Sequence, residues 1–125
     1  MKVNYKLALT LFAGVALGAA AIQALHAQAK PKAFLVTESE VLDAAALASY
    51  TAAISAVQKA AGGRSFGTRG KIVANVGDAP KRVGISEWDS LEKVQAYLNS
   101  AERKKLVGDG KVVKITSQYI VEATN

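Results

Sequence analysis

The chain has no cysteine and a single histidine, His26. Without cysteine there is no disulfide, no thiol nucleophile, and no thiolate ligand for zinc or an iron–sulfur cluster. His26 falls in an apolar N-terminal stretch that reads as a leader, so the chain beyond it also lacks an imidazole. This excludes a Ser-His-Asp triad, a His-ligated haem and a His-based zinc site. Acid-dense loops are absent as well. Calcium needs about six to eight oxygen ligands, and although Glu38 and Glu40 share one strand face, nothing nearby completes such a set. Gly62-Gly63-Arg64 lacks the spacing of a phosphate loop. No metal and no cofactor are expected. Lys and Arg outnumber Asp and Glu by 16 to 10, but the cations are dispersed. A nucleic-acid surface would need a basic stripe with interleaved aromatics. The one cluster, Arg103-Lys104-Lys105, reads as a solvated helix face, so no nucleic-acid partner is expected.

What is present begins with a leader. Two lysines precede Leu7 to Ile22, which is apolar and uncharged, and Ala27-Gln28-Ala29 offers small residues for a peptidase. This is the basic, apolar, small-residue order of a secretory signal peptide over residues 1–29, and it implies a periplasmic or secreted protein. The alternative is an uncleaved anchor, in which case the membrane becomes a partner. Removing 29 of 125 residues leaves one domain of 96, residues 30–125. Losing Lys2 and Lys6 lowers its net charge from +6 to +4.

Ala33 to Val41 reads as a strand, rich in β-formers. Asp43 offers a cap, and Leu47, Tyr50, Ile54 and Val57 mark one face of a helix that Gly62-Gly63 stops. Arg64 to Thr68 and Lys71 to Val76 read as extended pieces, and Lys81 to Trp88 as the next strand. Asp89 or Ser90 caps a second helix with Leu91, Val94 and Leu98 inward, followed by a short helical turn over Ser100 to Leu106. Lys114 to Ala123 is the last strand, with Ile115, Tyr119 and Val121 on one face and Ile120 on the other. This order predicts an α+β fold, a ferredoxin-like βαββαβ sandwich with helices on one face of an antiparallel sheet. Strands 1 and 3 would be central neighbours. The other face has apolar residues and no helix to cover it, which predicts a homodimer packed sheet against sheet.

The stretch Phe34 to Glu122 resembles the domain of unknown function 1330 family, within the dimeric α/β-barrel superfamily. The carrying residues are Thr37-Glu38-Ser39-Glu40-Val41, Tyr50, Gly62-Gly63-Arg64-Ser65-Phe66, Lys81 through Ser90, and Thr116-Ser117-Gln118-Tyr119-Ile120-Val121-Glu122. The chain departs from the family pattern at Leu47 and at Arg103, where the family has Tyr, and at Arg69-Gly70-Lys71, where it has Arg-Gly-Gly. The resemblance implies a dimeric α/β barrel. The superfamily includes cofactor-independent monooxygenases, haem enzymes and small-molecule-binding modules, so it does not choose an activity.

Glu38 and Glu87 are the candidate catalytic residues. Each shares a strand face with apolar neighbours, which would desolvate the carboxylate and raise its pKa toward acid–base work. The alternative is a rim carboxylate paired with Arg64 or Arg82. Tyr50, Arg64, Arg82 and Trp88 are the candidate ligand-binding residues: two guanidinium forks for an anion, a hydroxyl on a buried helix stripe, and an aromatic plane. Three functions follow, in order: a dimeric module binding a small, partly apolar molecule; a cofactor-independent oxygenase or isomerase using Glu38 or Glu87 as base; and a structural dimer with no ligand.

Overall fold

Strand β1 (Ala33–Val41) covers the nine residues its sequence predicts. Strand alternation sorts them by face. Ala33, Leu35, Thr37 and Ser39 point to one side; Phe34, Val36, Glu38 and Glu40 point to the other. The structure, a computed structural model, describes residues 30–124. The leader, its cleavage site and the anchor alternative, all in residues 1–29, lie outside the described residues.

Helix α1 (Leu47–Ala60) begins a turn after Asp43, whose Oδ1 accepts a hydrogen bond from the Ala46 amide at 3.1 Å. Gly62 ends the excursion with φ of +97°, a conformation that glycine adopts without a Cβ clash. Strand β2 is only Arg64–Ser65. The second extended piece expected over Lys71 to Val76 is not a strand. Gly67, Gly70 and Gly77 punctuate this segment with open space around each, and no strand lies beside it among the described residues, so β-propensity has no ladder to act on.

Strand β3 (Arg82–Trp88) leads into helix α2 (Leu91–Asn99), capped by Ser90 Oγ, which accepts from the Lys93 amide at 3.3 Å. Ser100 then takes an extended conformation (φ −63°, ψ 144°). Its hydroxyl donates to the Tyr97 carbonyl at 2.8 Å and accepts from the Arg103 amide at 3.3 Å. One side chain thereby closes α2 and opens helix α3 (Ala101–Val107). Strand β4 (Val113–Glu122) completes the domain.

The four strands form one antiparallel sheet in the order β2-β3-β1-β4. Two expectations need correction. The element order is βαββααβ and not the ferredoxin-like βαββαβ, because Ser100 divides the second crossover into two helices. Nor does the chain form an α/β barrel. The sheet is open, with β2 and β4 as unjoined edges, and a two-residue β2 offers too short an edge to close on. A third correction concerns β4. Its pairing with β1 shifts between Glu38 and Ser39, where Thr116 is the extra residue of a bulge. The bulge returns Ile115 to the same face as Ile120, while Tyr119 and Val121 stay on the opposite one.

The core sits at one end of the helix-covered face. Ala33, Leu35, Trp88, Val94 and Tyr97 are buried there, with Val57, Leu98 and Ile120 packed against them. Trp88 is fully buried, its ring 4.8 Å from that of Tyr97, and its Nε1 donates to Ser86 Oγ at 2.9 Å. Gly63 makes this seat possible: a Cβ there would lie 2.5 Å from Trp88 Cζ2 and 2.7 Å from Gln58 Cγ. Gly63→Ala is expected to destabilise the domain by about 1–3 kcal/mol, the usual cost of overpacking, measured by urea unfolding. An unchanged midpoint would show that the Trp88 pocket gives way freely.

Candidate functional site

Toward the Ser39 end, the same sheet face runs out of large side chains. Thr37, Ser39 and Gly84 lie side by side on β1 and β3, and what α1 and α3 lay over them does not fill the space. The result is a cavity of about 660 Å³. Its floor is Leu35, Thr37, Ser39, Gly84, Ile115 and Gln118; Tyr50, Ile54 and Gln58 of α1 and Arg103 and Val107 of α3 form the roof. Residues 66–70 and Ile72 form the rim, fixed to β3 by Thr68 Oγ1, which donates to the Val83 carbonyl at 2.6 Å.

The polar groups in this cavity are arranged by a chain of hydrogen bonds. Arg103 Nη2 donates to Gln118 Oε1 at 3.1 Å, and Gln118 Nε2 donates to Thr37 Oγ1 at 2.8 Å. Arg103 also lies 5.7 Å from the centre of the Tyr97 ring, a cation–π distance. Arg82 Nη1 donates to Ser39 Oγ at 3.4 Å, and Gln58 Nε2 to Ser65 Oγ at 2.6 Å. Burial pushes the Tyr50 hydroxyl pKa up, opposed in part by Arg103 and Arg82, so this phenol stays a neutral donor at physiological pH. Tyr97 is raised by burial in the same way.

The sequence-predicted site residues separate into three groups. Tyr50 and Arg82 line the cavity. Trp88 belongs to the core and does not reach it. Glu38, Glu87 and Arg64 lie on the opposite sheet face. Glu38 is half-buried between Val83 and Ser117, and its carboxylate has no ion pair among the described residues. Glu87 is ion-paired with Lys32 and with Arg64, whose Nη2 lies 2.7 Å from Glu87 Oε1 and 3.4 Å from Asp89 Oδ1. The hydrogen bonds from Lys32, then Arg64, hold the Glu87 pKa below its ordinary value, opposite to the rise expected from an apolar setting. Glu38 and Glu87 are also four positions apart in register, about 13 Å along the strands. They do not form one site. Among the described residues no group of three or more His, Cys, Asp or Glu is placed to hold a metal.

Among the cavity residues that the sequence does not single out as site residues, Arg103 and Gln118 carry the hydrogen-bond chain. Arg103 belongs to a basic run that reads as a solvated face; the structure turns it inward while Lys104 and Lys105 stay exposed. The available signal was the departure from the family pattern at this position, just after the Ser100 break.

A family model described as a domain of unknown function (DUF1330) matches residues 32–124. The chain belongs to the DUF1330 family. Two solved structures share its fold. One, described as methylated RPA0582 protein, superposes with a TM-score of 0.58 at 12% identity, covering 77% of this chain and 82% of that one. The other, RPA0582 from Rhodopseudomonas palustris, a protein of unknown function, gives 0.55 at 13% identity, covering 75% and 82%. At such identities the likeness concerns the fold. A search of curated proteins finds no match.

The Glu87 cluster predicts a pH dependence. A folded pKa below the unfolded value contributes stability above the unfolded pKa, and that stability is lost as pH falls through the folded one. Carboxylate titration by NMR should place the Glu87 midpoint below the ordinary glutamate value, and Glu87→Gln should flatten the acid limb of the stability curve. A midpoint at or above the ordinary glutamate value would mean that the Lys32 and Arg64 pairs do not persist in solution.

Proposed function

We propose that this DUF1330-family domain is a small-molecule-binding module whose site is the cavity between the sheet and helices α1 and α3. The cavity itself carries this reading. Its volume falls within the roughly 300–1,000 Å³ of ligand pockets, and it combines apolar walls with a few convergent polar groups. The enzyme reading loses its base: Glu38 and Glu87 lie across the sheet from the cavity, and Glu87 is engaged by two cations. A fragment library screened by protein-observed NMR tests the proposal. Binders should move the amide signals of Thr37, Tyr50 and Gln118 and raise Tm by mass action. Ile54→Trp, which fills the cavity from α1, should abolish the shifts while leaving the far-UV spectrum intact. A library that moves none of these signals would leave the ligand-free structural reading in its place.

The proposal includes a homodimer, exported by the leader in residues 1–29. It is supported by the sheet face on which no helix of the described residues lies, where Phe34, Val36, Val83 and Ile85 are flanked by Phe66, Tyr119 and Val121, each of the last three nearly half exposed. Phe34 and Phe66 stack at 6.4 Å, and a contiguous apolar patch of this kind is uncommon on a monomer. Sedimentation at micromolar concentration should report a dimer, and Tyr119→Lys combined with Val121→Lys should shift it to monomer. A monomeric wild type would reject this part of the proposal.

A further inference from the structure

All ten acidic residues of the chain lie outside the cavity lining, yet four cations line it: Arg69, Lys81, Arg82 and Arg103. Lys81 is paired with Glu40 at 3.2 Å. Arg82 and Arg103 meet no carboxylate among the described residues; their hydrogen bonds go to Ser39, to Gln118 and to the Leu98 carbonyl. Two half-buried guanidinium groups therefore face one concavity with neutral partners only. Charge of one sign in a partly desolvated space is costly, and an anion between the two would offset it.

Their spacing defines what fits. Arg82 is held to Ser39, and Arg103 is held through Gln118 to Thr37. Thr37 and Ser39 are alternate residues on one strand face, about 7 Å apart. Gly84, opposite Thr37, contributes no side chain to the floor between them. We propose that Arg82 and Arg103 bind the carboxylate of a small organic acid whose apolar body lies against Leu35, Ile54, Val113 and Ile115. The guanidinium fork matches a carboxylate in two parallel hydrogen bonds, and the Tyr50 hydroxyl in the roof supplies a further donor. The apolar walls select an organic acid over an inorganic oxyanion, which would gain nothing from them. This assignment rests on the cavity being the binding site and adds the class of ligand.

Calorimetry and NMR with three probes test it: hexanoate, its neutral counterpart hexanamide, and inorganic phosphate. Hexanoate should move the Thr37 and Gln118 signals and bind at least tenfold more tightly than hexanamide or phosphate. Arg82→Gln and Arg103→Gln should each weaken hexanoate by roughly tenfold or more, the usual worth of a charged hydrogen bond, and leave hexanamide unchanged. Arg103→Lys, which keeps the charge and loses the fork, should fall between. Arg103 also packs on Tyr97, so unfolding is monitored in every variant; Arg82, with one long hydrogen bond, gives the structurally silent test. Hexanamide binding as tightly as hexanoate would overturn the anion preference while the cavity reading stands. Phosphate binding more tightly than hexanoate would overturn the organic-acid class. If none of the three binds but library fragments do, the ligand class falls alone. If nothing binds, both readings fall.

Discussion

The seat of Trp88 against Gly63 organises the domain. It brings together the end of β3, the turn that closes α1 and, through the Tyr97 ring, the last turn of α2. Burying a large aromatic at this point fixes α1 over the sheet at one end only. Farther along, α1 meets Thr37, Ser39 and Gly84, which have no bulk to return the contact. Close packing is the rule inside proteins, so a gap of this size beside a well-packed core reflects a division of one sheet face into two. The first half is packed; the second encloses the cavity. Ser100 contributes to the same outcome, since the break it enforces re-aims the chain so that Arg103 and Val107 close over the open half.

The sheet also separates charge. Glu38, Glu40 and Glu87 point to the face without helices, where Glu40 and Glu87 are held by Lys81, Lys32 and Arg64. Around the cavity on the other face the ionisable groups are cationic or phenolic; Glu122, opposite Ala33 on that face, lies at the far, exposed end of the sheet. Period-two alternation alone achieves this along β1, where Thr37 and Ser39 face the cavity and Glu38 and Glu40 face away. A one-residue slip would place two carboxylates beneath Arg82 and Arg103 and neutralise them. Register is thus a chemical constraint as well as a packing one.

Much of the fold was legible because local signals agreed with the final packing. β1 has its predicted bounds, the stripe Leu47, Tyr50, Ile54, Val57 falls on α1, and β1 and β3 are the adjacent central strands. What was not legible depended on partners distant in sequence. Lys71 to Val76 has strand propensity but no neighbouring edge among the described residues. Ile115 changed face because of a bulge that nothing in a single strand announces. Closure into a barrel was implied by resemblance, and the observed edges do not supply it. Within the site, Tyr50 and Arg82 were found from helix periodicity and residue chemistry. The setting of Glu87 is not legible because alternation reports the face of a carboxylate and not its ion partners, and Lys32 and Arg64 come from other segments. Arg103 was hidden by its own neighbours, since a basic run looks solvated until a helix break decides which member turns inward.

The two faces can therefore do different work through one strand. β1 is hydrogen-bonded on both edges along most of its length, so its backbone is the most constrained in the domain. Side chains on its opposite faces share that backbone and little else. Phe34 and Val36 belong to the apolar face that a second copy would cover, and Leu35, Thr37 and Ser39 to the floor of the cavity. A rigid strand between them positions both sets without letting a small displacement on one side pass easily to the other. Coupling between ligand and assembly would instead have to travel through Lys81–Arg82, where adjacent residues reach Glu40 on one face and Ser39 on the other. That junction stands at the Arg82 end of β3, where the ladder with β1 stops, and it is where a cation facing the cavity is adjacent in sequence to one that pairs across the sheet.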